Sequence, residues 1–144
     1  MIIIRFTIIL VTLLFIQCSE DESNPAAPSS VGTYIGNNNM DKSVSFVISN
    51  KSGRAFVTEY SIEYEYALGA FTQTGEISHS DSDGIVEVTN NRFTIDLSTD
   101  PEDQIEGKIS GSNLEGSFKI VTGTTIGGEK QYVSGTYTAF KEDG

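Results

Sequence analysis

Glu59-Tyr60-Ser61-Ile62-Glu63-Tyr64-Glu65-Tyr66 decides the fold class of this chain. Tyr60, Ile62, Tyr64 and Tyr66 take every second position, and Glu59, Ser61, Glu63 and Glu65 fill the positions between them. A strand sends successive side chains to opposite faces, so this pattern separates completely into an apolar face and an acidic one. A helix would scatter the same residues around its circumference. The segment therefore reads as a half-buried β-strand, tyrosines inward with their hydroxyls reaching the rim for partners. A stacking platform for a sugar is the functional alternative. Aromatic alternation is the ordinary appearance of a core strand, and the core reading is preferred.

The same period of two recurs on both sides. Val44, Phe46 and Ile48 alternate with Ser43, Ser45 and Val47 before an Asn50–Gly53 turn, and Phe93, Ile95 and Leu97 alternate with Arg92, Thr94 and Asp96 after an Asn90-Asn91 turn. Residues 104–121 predict a hairpin with a defined register. Gly111-Ser112 suits a two-residue type II′ turn, which wants glycine first. That sets Ile109 against Leu114, Lys108 against Glu115, Gly107 against Gly116 and Ile105 against Phe118. The facing glycines suggest a sharply bent corner. Leu68–Ile77 predicts a less regular strand, and Ile85, Val86 and Val88 begin another. His79–Gly84 reads as a polar turn, Thr99–Asp103 as an acidic loop and Gly123–Gly128 as a loop, with Tyr132–Phe140 the final strand. The expected fold is all-β: an antiparallel meander of about eight short strands forming a β-sandwich or flattened barrel. No helix longer than a turn is signalled after residue 17. Gly32-Thr33-Tyr34 is echoed by Gly135-Thr136-Tyr137, which suggests that the first and last strands are neighbours.

The chain has 144 residues, one domain's worth, and lacks tryptophan. Its net charge is −11; residues 1–17 hold Arg5 and no acid, so their removal leaves −12. Such a surface repels phosphate backbones and excludes nucleic acid as a partner. The acid excess reads first as solubility.

Arg5 forms a short basic start, and Phe6–Ile16 form an apolar run ending in Phe15-Ile16-Gln17-Cys18. A transmembrane helix needs about 20 apolar residues, so the run has the length of a signal peptide instead. It resembles the lipobox of bacterial lipoproteins, with Phe15 and Gln17 departing from the usual Leu and small residue. The resemblance implies cleavage after residue 17 and acylation of Cys18, the chain's one cysteine. Acyl chains contribute ~0.8 kcal/mol per buried CH₂, enough for a lasting membrane anchor. Ser19-Glu20-Asp21-Glu22 resembles the Bacteroidetes-type surface-export signal, which implies an outward-facing outer-membrane lipoprotein. Residues 18–31 form an acidic, Pro- and Ser-rich tether, and the β domain spans 32–142.

Within that domain Gly32-Thr33-Tyr34, Val44-Ser45-Phe46-Val47-Ile48, Val88-Thr89-Asn90-Asn91-Arg92-Phe93, Ile105-Glu106-Gly107-Lys108-Ile109, Leu114-Glu115-Gly116-Ser117-Phe118 and Gly135-Thr136-Tyr137-Thr138-Ala139 follow in order. This succession resembles a group of extracytoplasmic bacterial β modules without assigned function. The likeness implies an exported all-β fold and transfers no active site. Lipocalins and avidins share the meander, but their Gly-x-Trp motif is absent.

No catalytic constellation stands out. His79, the single histidine, lies in Ser78-His79-Ser80-Asp81-Ser82-Asp83-Gly84, and a catalytic base needs a fixed setting. Asp81-x-Asp83-Gly84 resembles part of a calcium loop, but His79 and Asn90 stand where the loop needs acids, so a hairpin turn is preferred. Asp100, Glu102 and Asp103 form a second acidic cluster of the same kind. Glycoside hydrolysis needs two carboxyls about 5–10 Å apart in a cleft, and Glu59, Glu63 and Glu65 belong to a solvent face. The reading is a non-enzymatic binding or structural module without metal or cofactor. Its partner is a glycan, small ligand or envelope protein met on loops Gly69–Gly75, Ser78–Gly84 and Gly123–Lys130. The alternatives are a lipocalin-like carrier, which requires a cavity of ~300 Å³ or more behind Tyr60–Tyr66, and an enzyme centred on His79.

Overall fold

The computed structural model describes residues 28–126 and 128–143; the leader, Cys18 and the tether up to residue 27 lie outside the described residues. Nine antiparallel strands form one sheet: β1 (Gly32–Asn38), β2 (Ser43–Lys51), β3 (Arg54–Leu68), β4 (Phe71–Ser80), β5 (Val86–Glu87), β6 (Arg92–Asp96), β7 (Gln104–Ser110), β8 (Asn113–Ile126) and β9 (Glu129–Lys141). Their order is β4-β3-β2-β1-β9-β8-β7-β6, with β5 on β3. The sheet curls over one core, as expected of a sandwich or flattened barrel. β1 and β9 lie side by side at its centre, Ile35 opposite Phe140.

The turns follow from local chemistry. Asn90 and Asn91 both have positive φ, 53° and 60°, the type I′ geometry that asparagine tolerates. Gly111, at φ 61°, closes the β7–β8 hairpin in the predicted register, with Ile109 opposite Leu114 and Ile105 opposite Phe118. The facing glycines have a different purpose from a corner. A Cβ on Gly107 would lie 2.2 Å from the Phe93 ring, and one on Gly116 2.0 Å from the Glu106 carbonyl oxygen and 2.4 Å from the Tyr137 hydroxyl oxygen. Phe93 is the direct cross-strand partner of Gly107, and Tyr137 of Gly116. Tyr64 over Gly75 and Phe118 over Gly135 repeat the arrangement. Each glycine gives up its side chain so that a ring from the facing strand can lie flat.

β3 carries the tyrosine alternation as read, with Tyr60, Ile62 and Tyr64 buried. Ala55 and Val57 are buried too, although they have the opposite parity. The register slips at Thr58, where Val47 pairs with Glu59 and Ile48 with Val57. This bulge resets which face points inward. Buried Thr58 shares a hydrogen bond of 3.0 Å with Ser49. Phe46 sits between sheet halves, its ring centroid 5.1 Å from Tyr137, 5.5 Å from Phe93 and 6.4 Å from Tyr60.

Of the three segments expected to act as binding loops, two are largely strand and the third is strand only at its start. Gly69–Gly75 is largely β4, within the strand expected over Leu68–Ile77, whereas of Ser78–Gly84 only Ser78–Ser80 belongs to β4 and the turn follows from Asp81; β4 pairs with β3 from Leu68–Phe71 to Glu59–Ser80. Most of Gly123–Lys130 belongs to β8 and β9. The described residues hold nine strands where about eight were expected, and His79 stands in a paired strand. Edge strand β4 is exposed on both sides over most of its length, so its sequence needs no apolar alternation and reads as a less regular strand.

β1, β3, β6 and β8 run in one direction, and the strands between them return. One pole therefore carries the Ser52-Gly53, Asn90-Asn91 and Gly111-Ser112 turns and the start of β1. There the tether's last residues dock: Ser30 is buried, its carbonyl accepts the Tyr34 hydroxyl at 2.9 Å, and the Ser29 carbonyl accepts Lys141 at 3.2 Å. The opposite pole carries the Asn38–Lys42 turn, the β6–β7 loop and the tips of the β3–β4 and β8–β9 hairpins.

Candidate functional site

β3, β8 and β9 have 15, 14 and 13 residues and overshoot β1 with 7, β6 with 5 and β7 with 7. Their overhanging ends face each other across a cleft of about 290 Å³. Glu65, Tyr66, Ala67 and Leu68 line one side, and Thr122, Gln131, Tyr132 and Val133 the other. Larger depressions, such as that of about 440 Å³ over Asn37–Asn39, Gly116 and Thr136–Thr138, are shallow grooves along the sheet.

Both cleft tyrosines are held in place. Tyr66 packs 6.1 Å from the Tyr64 ring and donates its hydroxyl to Gln73 Oε1 at 2.9 Å. Tyr132 donates to Asp100 Oδ2 at 2.7 Å, and Lys130 Nζ reaches the same oxygen at 2.8 Å. Asp100 Oδ1 accepts the Glu102 N–H at 3.1 Å. The Lys130 and Tyr132 bonds are the main reason the Asp100 carboxyl is lowered to about 2. The Lys130–Asp100 bond is the largest cause of the raised Lys130, and the Tyr132–Asp100 bond of the raised Tyr132 hydroxyl. Lys119 lies 4.5 Å over the Tyr132 ring and pairs with Glu102 at 3.0 Å. On the β3 side Lys42 pairs with Glu65 at 2.7 Å. Asn38 anchors that turn: its Oδ1 accepts the N–H groups of Met40 and Lys42 at 2.9 and 3.1 Å, and its Nδ2 donates to the Glu63 carbonyl at 2.6 Å.

The residues singled out in the sequence fall elsewhere or into structural positions. Tyr60 and Tyr64 are core, their hydroxyls raised by burial first and by the Asp103 charge in addition. His79 is exposed opposite Tyr60, 6.4 Å between rings, and no side-chain hydrogen bond reaches it among the described residues. Its neighbours Ser78 and Ser80 point to the other face of β4, so no hydroxyl–histidine pair forms there. The Asp81 carboxylate accepts the Asp83 N–H at 2.8 Å, which makes that segment a turn. In the second acidic cluster, Asp100 is taken by Lys130 and Tyr132, Glu102 by Lys119, and buried Asp103 accepts the Val121 N–H at 3.2 Å. Among the described residues no three His, Cys, Asp or Glu converge on a metal position. Glu59, Glu63 and Glu65 lie on the outer face as read. Cys18 lies outside the described residues.

The cleft was missed in the sequence because its walls are more than fifty residues apart. Only the overhang of both hairpins brings Tyr66 towards Tyr132, and no local pattern marks it. No protein-family model, curated protein or solved structure matches this chain.

Proposed function

We propose that this chain is a lipoprotein anchored to the outer membrane through Cys18, whose β domain is a non-enzymatic binding module for a neutral glycan. The observation that carries this reading is the Tyr66–Tyr132 cleft at the pole opposite the docked tether. A domain held by its N-terminus offers that pole to the medium. The ten residues from Cys18 to Pro28 reach at most roughly 35 Å, so the far pole is the one clear of the bilayer.

The cleft's chemistry favours a hydroxyl-rich, uncharged ligand. Two tyrosines offer apolar ring surface, Ala67, Leu68 and Val133 add aliphatic surface, and Gln131, Thr122 and Glu65 supply hydrogen-bonding groups around it. The acid excess opposes anionic ligands. Acidic side chains nearby are already held by lysines and amides, which suits binding rather than proton transfer.

The test follows membrane location and ligand affinity together. Mass spectrometry of the wild-type protein should find Cys18 acylated, and Cys18→Ser should move the protein from membrane to soluble fraction. Titration of that soluble protein with neutral oligosaccharides, followed by NMR, should shift resonances of Tyr66, Gln131 and Tyr132. Tyr66→Ala should weaken the response at least tenfold. A free thiol at Cys18 overturns the anchor. Saccharide affinity unchanged in Tyr66→Ala, or no saccharide response at all, overturns the ligand class.

A further inference from the structure

A second surface, independent of the cleft, lies along β4. Among the described residues this strand is hydrogen-bonded to β3 alone. Leu68 and Phe71 close the two-residue hairpin, and at the other end Asp81 N–H donates to the Thr58 carbonyl at 2.8 Å. Antiparallel pairing then directs the backbone groups of residues 71, 73, 75, 77 and 79 towards β3. Those of Thr72, Thr74, Glu76, Ser78 and Ser80 point to the open edge.

Proteins ordinarily guard such an edge with lysine, proline, a bulge or short length. β4 has ten residues, Phe-Thr-Gln-Thr-Gly-Glu-Ile-Ser-His-Ser, without Lys, Arg or Pro, and its register with β3 is unbroken. The other end of the sheet is treated differently. β6 has five residues, carries Arg92 and Asp96, and leads from β5 through a Thr89–Arg92 bridge.

The two faces flanking the edge define what would pair there. On the inner face, Phe71 is 76% exposed, Ile77 is half-buried, and the Tyr64 ring covers Gly75 between them. The outer face is hydroxyl-rich and acidic, with Glu76 on β4 and Glu59, Glu63 and Glu65 beside it on β3. An added strand would meet apolar surface inward and carboxylates outward. A second copy would bring the same carboxylates and its own net charge of −11, so like charges oppose self-pairing. We infer that β4 is a strand-addition site for an extended basic segment of another protein, with apolar residues alternating with Lys or Arg.

A capped nine-residue peptide of alternating lysine and valine is the probe, titrated into the Cys18→Ser chain by calorimetry and NMR. It should bind and slow amide exchange at Thr72, Thr74, Glu76 and Ser78. An alternating glutamate–valine peptide and a lysine-block–valine-block peptide should bind at least tenfold more weakly. Thr74→Pro removes an outward N–H that β3 does not use, so it should abolish binding with the circular dichroism spectrum retained. Glu76→Lys tests the charge without touching the backbone and should favour the glutamate–valine peptide. Equal binding of the block peptide, protection away from β4, unchanged affinity in both variants or no binding overturns the inference. So does a concentration-dependent dimer that Thr74→Pro dissolves, which would make the occupant a second copy.

Discussion

Gly107→Ala tests whether the ring-over-glycine pairs hold this fold in register. The added Cβ would sit 2.2, 2.4 and 2.9 Å from Cζ, Cε1 and Cε2 of Phe93. Ordinary contact begins near 3.4 Å, so the ring must retreat by more than 1 Å. It has little room, being 4% exposed with its centroid 5.5 Å from Phe46, which is itself packed against Tyr60 and Tyr137. Overpacking of this kind costs about 1–3 kcal/mol. Replacing glycine recovers about 0.5–1 kcal/mol through the unfolded chain. The expected net loss is about 1–2 kcal/mol, a fall in Tm of roughly 5–10 °C for a domain of this size. Urea unfolding of the Cys18→Ser chain measures it. Phe93→Ala alone should cost about 3–5 kcal/mol by opening a cavity. In the double variant the new methyl group enters vacated space, so the second change should cost nothing and the cycle should show coupling of about 1–2 kcal/mol. A Gly107→Ala protein as stable as the parent, or a double variant whose losses simply add, refutes the packing argument.

Asn38→Ala removes two hydrogen bonds that shape the β1–β2 turn and the one that ties it to β3, leaving the Glu63 carbonyl without that donor; it should cost about 2–3 kcal/mol, read as a lower urea midpoint at unchanged m. Hydrogen exchange at Met40 and Lys42 should accelerate in the same variant. Asp100 is depressed to about 2 in the folded protein, below the ordinary carboxyl value near 4, so its stabilising contribution is complete above about 4 and disappears as pH falls towards about 2. Carboxyl NMR should place its midpoint near 2 and show it moving upward in Lys130→Met; an unmoved midpoint would break the assigned cause.

The hairpin between Gln104 and Val121 was legible residue by residue. Its alternation and its Gly-Ser turn are local, and a two-residue turn leaves one register in which apolar residues share a face. Tyr60–Tyr66 was legible for the same reason, since one half-buried strand shows its two environments in its own spacing. The all-β class and the adjacency of the first and last strands followed from these local patterns together with the Gly-Thr-Tyr echo.

Other features depended on pairing between distant residues. The Thr58 bulge brings Ala55 and Val57 inward beside Tyr60 and Ile62, and neither flank alone shows the change of phase. β4 reads as an irregular strand ending at Ile77, because an edge strand exposed on both faces needs no alternation, so His79 was placed in a turn. Gly107 and Gly116 suggested a bend until the register set Phe93 and Tyr137 opposite them, as it sets Tyr64 opposite Gly75 and Phe118 opposite Gly135. The Tyr66–Tyr132 cleft is the furthest from any local signal. Periodicity records which way a side chain points within its own strand. How far one hairpin overhangs another depends on the order and register of the whole sheet, and only the assembled fold decides that.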